Sequence, residues 1–239
     1  MIVTFRLSRG DQMNLLDVTA PSGFHVRLRD FLRDQSQHTT TATVRRNESA
    51  YSCGGQDRNV YFLESGQIKT VMFSRSGKEC LLRIHTPGEI FGELCSLGGI
   101  REESAIAMRD SVVHRMSYEH FLSSITAAGF VDDFINHLSR RLAEQQQSIT
   151  HLVTVDSEQR LGEILLDLAR KLGRGDGRRP HIVGRITHEE LAGMVGTTRS
   201  RVGYFLKGFR DRGLVDVTPG SHLIIDQLRL SAYLESRCV

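Results

Sequence analysis

The sequence predicts an α+β chain with three parts: a β-rich N-terminal domain, one long helix and a C-terminal winged helix-turn-helix. Three observations lead to this prediction. Short runs of strand composition alternate with glycine turns over residues 42–116, the apolar spacing becomes helical from Tyr118, and a capped helix, a glycine turn and a basic helix follow one another over residues 186–217. The predicted units are an N-terminal extension at 1–25, the β-rich domain at 26–130, the long helix at 131–155 and the C-terminal domain at 156–239.

The β-rich domain is predicted from its turn signals. After a short run of helical spacing at residues 26–35, Ser65-Gly66 and Ser76-Gly77 each separate runs of strand composition, so each pair predicts a hairpin. Residues 105–116 are interpreted as two further strands. Turns about ten residues apart are typical of an antiparallel sandwich or barrel.

The long helix carries an apolar seam. It has no Pro or Gly, and Gln145 takes one position of a seven-residue repeat whose other members are Ile135, Leu138, Leu142, Ile149 and Leu152. Such a repeat predicts a dimerisation helix, and a polar residue in it fixes the register or meets a ligand. The alternative is that the seam packs on the chain's own sheet.

The C-terminal domain has the strongest local signals. An amphipathic helix is predicted at 157–172 and a glycine-rich turn at 173–180. Thr187 and Glu190 then form a capping box, and Gly196 supplies a turn. Thr197 or Thr198 caps a second helix, and the run LVDV-TPGSH-LIID is interpreted as a two-stranded wing.

Charge points to a polyanionic partner for this domain. The net charge is only +3, but residues 157–239 hold fourteen Lys/Arg against ten Asp/Glu, whereas the rest holds seventeen against eighteen. Arginine can donate two hydrogen bonds to guanine in the major groove, and lysine neutralises phosphate. We therefore expect DNA binding by the exposed side of the second helix, although a solvated basic face is the alternative. The candidate residues are Thr198, Arg199, Ser200, Arg201, Tyr204 and Lys207.

Other classes of function find little support in the sequence. No run approaches the length of a membrane span and no signal-peptide core opens the chain, so we expect a soluble, cytoplasmic protein. Motifs of hydrolases, zinc proteases and P-loop enzymes are missing, which predicts no catalysis. The cysteines lack metal-binding spacing and are expected to be reduced, with a redox role left open for Cys53, Cys80, Cys95 and Cys238. His85 and His114 are candidate haem ligands by residue type alone.

The chain resembles the cyclic-AMP receptor/fumarate-nitrate regulator (CRP/FNR) family of bacterial transcription factors. The resemblance runs from about residue 43 to 230 and is carried by VYFLESGQIK, SGKECLLRIHTPGEIFGEL, Arg140-Arg141-Leu142 and ITHEELAGMVGTTRSRVGYFLKGFRDRGLV. It implies a cyclic-nucleotide-binding-like β-roll, a homodimer, a near-palindromic DNA site and RNA polymerase as a further candidate partner. By position it implies base contacts from Arg199, Ser200 and Tyr204, with Lys207 near the backbone. Only Arg199 keeps the residue type of the cyclic-AMP receptor, so we expect a different half-site.

The resemblance also locates a candidate effector site. Cyclic-nucleotide binders have a Gly-Glu pair followed by an Arg-Ser pair, and here Gly92-Glu93 and Ser104 match while Glu103 stands where the phosphate-binding arginine belongs. A carboxylate repels phosphate, although Arg101 is a possible substitute, and Gln145 stands at the adenine-contacting position. We therefore expect a small effector other than cyclic AMP, or none, and no certain cofactor. Two alternatives remain for the function of the chain: a cyclic-nucleotide-dependent activator, in which Glu93 binds ribose, and an enzyme or interaction module built on the same folds. Residues 91–93 are equally explained as a turn that is retained for folding.

Overall fold

The computed structural model describes residues 39–237, apart from 76, 78, 98, 176, 185, 220 and 221. The predicted extension at 1–25, the predicted helix at 26–35 and Cys238 lie outside the described residues. In the part that is described, no helix is both long and apolar enough to cross a bilayer.

The N-terminal half is one antiparallel sheet, here called the β-domain. Its strands are β1 (Thr40–Val44), β2 (Ser49–Tyr51), β3 (Asn59–Phe73), β4 (Glu79–His85), β5 (Ile90–Phe91) and β6 (Ser104–Ser117), with a 3-10 turn at Glu93–Leu97. The central path of the sheet is β1-β6-β3-β4, with β2 paired to β6 and β5 to β3. Alternate side chains of the long strands form its core, among them Leu63 and Ile68 of β3, together with Phe91 of the short strand β5.

Two strand predictions for this domain are wrong in the same way. Ser65-Gly66 does not turn the chain, because β3 continues through it as a bulged strand paired with β6. Gly66 has a φ of 99°, and a Cβ there would lie 2.5 Å from the Cα of Ser111, so the glycine serves a bulge and a close strand approach. Residues 105–116 likewise belong to the single strand β6, which pairs with both β1 and β3. The hairpin predicted around Ser76-Gly77 is confirmed by the pairing of β3 with β4.

Helix α1 (Tyr118–Ala127) leads through Gly129 to α2 (Val131–Thr154), the long helix predicted over 131–155. Phe134 and His137 are its buried side chains and face the β-domain, with Phe134 packed against Phe121. The seam lies on a different side and is between 38% and 61% exposed in the single chain. The seam therefore does not pack on the chain's own sheet, which rejects that alternative.

The C-terminal domain begins at α3 (Ser157–Leu172), whose first turn is capped by Asp156. The elements that follow are β7 (Gly173–Arg174), β8 (His181–Ile182), α4 (His188–Val195), α5 (Arg199–Asp211), β9 (Val215–Val217), β10 (Leu223–Ile225) and α6 (Gln227–Glu235). Two strands thus precede the helices α4 and α5 in the chain and two follow them. The four strands form one small sheet in the order β7-β8-β10-β9. The glycine-rich stretch predicted as a turn thus begins with the short strand β7. The core of this domain includes Leu165 and Phe209 and continues without a break into Val71, Leu81 and Ile84 of the β-domain.

Candidate nucleic-acid interface and effector site

Local capping fixes where α4 begins and ends and where α5 begins. The Thr187 side chain accepts a hydrogen bond from the Glu190 backbone N–H, and the Glu190 carboxylate accepts one from the Thr187 backbone, which completes the predicted capping box. Gly196 ends α4 in the left-handed conformation, with φ 72° and ψ 42°. Thr198, one of the two predicted caps, accepts a hydrogen bond from the Arg201 N–H and starts α5. The result is two helices joined by a tight turn, a helix-turn-helix.

Helix α5 separates a core stripe from an exposed stripe. Val202, Phe205, Leu206 and Phe209 are buried, as their spacing predicts. All six candidate DNA-contacting residues, Thr198, Arg199, Ser200, Arg201, Tyr204 and Lys207, are exposed. Tyr204 is the extreme case, with 75% of its surface accessible although it is aromatic. Exposed arginines and an exposed aromatic ring in the first two turns match the part of a recognition helix that reaches base edges.

The predicted wing follows α5. Strand β9 pairs with β10 antiparallel, and the Thr218 N–H donates to the His222 carbonyl across the connecting turn. A cleft of about 420 Å³ lies beside the far end of α5, between Arg179, Lys207 and Arg210. The sequence singled out neither Arg179 nor Arg210, because nothing in their spacing shows that the β7–β8 loop returns to α5.

The candidate effector residues do not form one open pocket. Arg101 is only 2% exposed, and its guanidinium donates to the carbonyls of Gly92 and Asn59, both at 2.5 Å, and pairs with Asp57 at 3.3 Å. It also lies 4.0 Å from the centre of the Tyr51 ring. Both terminal nitrogens of the Arg101 guanidinium therefore already have partners within the chain.

The neighbouring candidates are satisfied in the same way. Glu103 accepts a hydrogen bond from the Tyr51 hydroxyl at 2.7 Å, and burial raises the pKa of its carboxyl. The Ser104 hydroxyl oxygen accepts from the Cys53 N–H at 2.9 Å. The structure therefore brings Gly92, Arg101, Glu103 and Ser104 into one cluster that Tyr51 closes.

The two remaining candidates, Glu93 and Gln145, are not among the contacts of Arg101. Glu93 is buried and forms an ion pair with Arg141 of α2, while Gln145 is exposed on the same helix. Burial lowers the pKa of the Arg141 guanidinium to about 10, with the positive charge of Arg83 as the next cause. The sequence did not assign Arg83 or Arg141 to this site, since only the folded chain places α2 against β4. Arg141 was noted only within the Arg140-Arg141-Leu142 run that carries the family resemblance.

Haem or metal binding gains no support from this geometry. The His114 ring is 2.8 Å from the Glu64 carboxylate, and His85 is buried, with its Nδ1 4.0 Å from Glu89. Over the described ranges, no group of three or more His, Cys, Asp and Glu side chains is placed to hold a metal ion. Cys53, Cys80 and Cys95 are free, and Cys95 is buried, which raises the pKa of its thiol.

Comparison with known proteins agrees with this arrangement. The model of the cyclic nucleotide-binding domain matches residues 23–127, and that of the Crp-like helix-turn-helix domain matches residues 159–233. The cyclic AMP receptor protein of Thermus thermophilus is 30% identical over 170 residues, which is 70% of this chain and 76% of that protein. A CRP-like cAMP-activated global transcriptional regulator of Mycobacterium tuberculosis is 29% identical over 188 residues, 78% of this chain and 84% of that protein.

Solved structures share the fold. A CooA mutant from Carboxydothermus hydrogenoformans superimposes with a TM-score of 0.71 at 21% identity, covering 84% of this chain and 90% of that one. The order of β-domain, long helix and winged helix is therefore that of a known architecture. Since both family models match in that order and a relative at 30% identity spans most of the chain, this protein belongs to the CRP/FNR family of transcriptional regulators.

Proposed function

We propose that this regulator is a homodimer that binds a near-palindromic DNA site in a sequence-specific way and does not use cyclic AMP as its effector. The observation that carries the DNA-binding part is the division of α5 into a buried apolar stripe and an exposed stripe with Arg199, Ser200 and Tyr204 in its first two turns. Arg199 is the residue for a guanine, because its fork of donors fits the two acceptors of that base. Lys207 lies about two helical turns after Arg199, and its positive charge suits a contact with a phosphate of the DNA backbone.

The dimer is supported by the exposed seam of α2. Ile135, Leu142 and Ile149 are each more than half exposed, on a helix whose adjacent side, with Phe134 and His137, is already packed. A second copy of the helix buries these side chains in knobs-into-holes contacts. Two-fold symmetry then presents two copies of α5 to successive major grooves, about 34 Å apart.

The effector part of the proposal is supported by charge. A cyclic phosphate entering the cluster meets the Glu103 carboxylate, while the nearest cation, Arg101, already has three polar partners and a ring. The chain therefore responds to a different small effector or to none. Relatives described as cAMP-activated favour the opposite outcome, a cyclic-nucleotide-dependent activator. Any effector acts through α2 by changing the orientation of the two C-terminal domains. This takes place in the cytoplasm, where the DNA lies.

Selection of bound fragments from a random DNA pool tests the main proposal. We expect an enriched site with two related half-sites in inverted order and one helical turn between their centres. Sedimentation of the free protein should give twice the chain mass of 26.9 kDa. Enrichment of no sequence, or a monomer on a single half-site, contradicts the proposal. Calorimetric titration with cyclic AMP and cyclic GMP decides whether the protein binds a cyclic nucleotide, as the alternative requires, or does not, as we propose.

A further inference from the structure

A lysine of the β-domain reaches the helix-turn-helix directly. Lys69, on β3, places its Nζ 2.9 Å from Oε1 of Glu79 on β4 and 2.9 Å from Oε1 of Glu190 on α4. The side chains of Lys69 and Glu190 are 13% and 14% exposed, so water screens this pair far less than a surface ion pair. Burial lowers the pKa of the Lys69 ammonium, but its hydrogen bonds to the two carboxylates raise it further, so the net shift is upward.

Glu190 serves two structures at once. Its Oε2 accepts the Thr187 N–H in the capping box of α4, while its Oε1 accepts from Lys69. The carboxylate that fixes the start of the first helix of the motif is therefore also the carboxylate that joins this helix to the β-domain.

The ion pair lies at the edge of a packed contact. A Cβ on Gly193, one turn further along α4, would lie 3.3 Å from the Glu79 carbonyl oxygen and 3.3 Å from the Leu81 nitrogen, so only a small residue lets β4 approach. On the neighbouring strand, Gln67 Nε2 donates to the Val183 carbonyl at 3.2 Å. Leu81 belongs to the apolar core that the two domains share. The β3–β4 hairpin is thus docked on α4 by backbone, apolar and ionic contacts.

This docking covers the end of α4 where DNA requires a phosphate. In a helix-turn-helix the first helix crosses the DNA backbone, and helix N-termini attract phosphate. Here Lys69 and Glu79 bring opposite charges to Glu190, so the net charge at the first turn of α4 does not change. The hairpin nevertheless leaves the Glu190 side chain only 14% exposed, and a cleft of only about 170 Å³ separates the hairpin from that turn. The docked arrangement therefore disfavours the approach of the DNA backbone to α4.

We propose that Lys69 is a latch between the domains: it holds the β3–β4 hairpin on α4 in a state with low affinity for DNA, and its release raises that affinity. This adds a second route of coupling to the one through α2, and its DNA readout rests on the proposed function. The latch itself is a property of the protein without DNA.

Two variants remove the charges and leave the rest in place. Lys69→Met keeps the apolar stem of the side chain, and Glu190→Gln keeps a residue type that serves at this position of a capping box. Each single variant should bind the selected DNA about 5- to 30-fold more tightly, in the range usual for coupling between sites. The double variant should gain no more than either single one, because one interaction is lost in all three.

A direct effect of charge on DNA gives a different pattern. If no latch exists, Lys69→Met loses a cation and weakens binding, whereas Glu190→Gln loses an anion and tightens it. Opposite signs, additive changes or unchanged affinities would therefore overturn the latch. Lys171→Met is the matched control, since this lysine pairs with Asp167 inside α3 at 3.0 Å and should leave the affinity unchanged.

Amide hydrogen exchange without DNA separates the two proposals. Lys69→Met and Glu190→Gln should both speed exchange in β4 and α4, and Lys171→Met should not. If the wild-type protein binds no DNA, the proposed function fails, and exchange alone then decides the latch. Exchange in β4 and α4 that is the same in wild type and both variants would refute it.

Discussion

Replacing Arg199 by alanine tests how this regulator reads its DNA. Arg199 is the first residue of α5, exposed and directly after the cap Thr198. No described side chain forms an ion pair with it, so DNA binding by Arg199 breaks no ion pair in the part of the chain that the structure describes. A bidentate contact of arginine with guanine is worth about 1–3 kcal/mol, which corresponds to a 5- to 150-fold rise in Kd.

The loss should be confined to one base pair in each half-site. With the selected site, Arg199→Ala should weaken binding by that factor. With the site in which the contacted guanine is replaced, wild type and variant should bind alike, because the variant no longer distinguishes the bases. Arg210→Ala is the matched control, since it removes the same charge from the last turn of the same helix, where Arg210 is exposed.

Fluorescence anisotropy at several salt concentrations measures both effects. A base contact leaves the slope of log K against log salt unchanged, whereas the loss of a phosphate contact reduces its magnitude by about 1. If Arg199→Ala weakens binding to all sequences equally and the slope falls, Arg199 binds the backbone and the assignment of base reading to it is wrong.

Three further perturbations test other parts of the molecule. Leu142→Asp should raise the Kd of the dimer more than about 100-fold in sedimentation, since burial of a leucine contributes about 1.5–3 kcal/mol in each protomer; Ser139→Asp adds the same charge beside the seam and should not. Gly66→Ala should lower the free energy of unfolding in urea by about 2–4 kcal/mol, because the left-handed backbone and the contact with β6 both oppose a Cβ. Gly77→Ala, at φ 78° with open space around it, should lower it by only about 1–2 kcal/mol. Equal losses would exclude the close contact at Gly66. Burial raises the pKa of the Glu103 carboxyl, so above pH 4.5 the folded chain still holds a proton that the unfolded chain has released. The free energy of unfolding of the wild type, relative to that of Glu103→Gln, should therefore fall as the pH rises from about 4.5 to the raised pKa. A difference that does not depend on pH would contradict this.

The features predicted correctly are those with local causes. Caps at Thr187 and Thr198 and a left-handed glycine at 196 fix the helix-turn-helix from neighbours within a few residues. The buried stripe of α5 follows from helical spacing alone. The bounds of α2 agree with the prediction to within one residue for the same reason.

The features that the sequence predicts wrongly or does not reveal have causes that are distant in sequence. A glycine with positive φ suits a hairpin and a bulge equally, and only the pairing of β3 with residues near Ser111 decides for the bulge. The residues next to Arg101 in the sequence suggest a cation that is available to an effector. In the folded chain Arg101 is buried against Asp57, 44 residues away, and the Tyr51 ring. Likewise the pair of Lys69 and Glu190 spans 121 residues, and no spacing rule connects them.

The closed cluster around Arg101 also limits what kind of effector can work. A ligand shifts the equilibrium between two arrangements only by the difference in its affinity for them. A ligand that enters between Gly92 and Tyr51 has to separate Arg101 from two carbonyls and a carboxylate. Breaking these contacts costs free energy, which lowers the net affinity of the ligand. A hydrogen-bond donor or a cationic group next to Glu103 recovers that cost better than a phosphate does, since the carboxylate attracts both of these groups and repels a phosphate. From the proposed function we therefore expect an effector with a hydrogen-bond donor or a positive charge at this position.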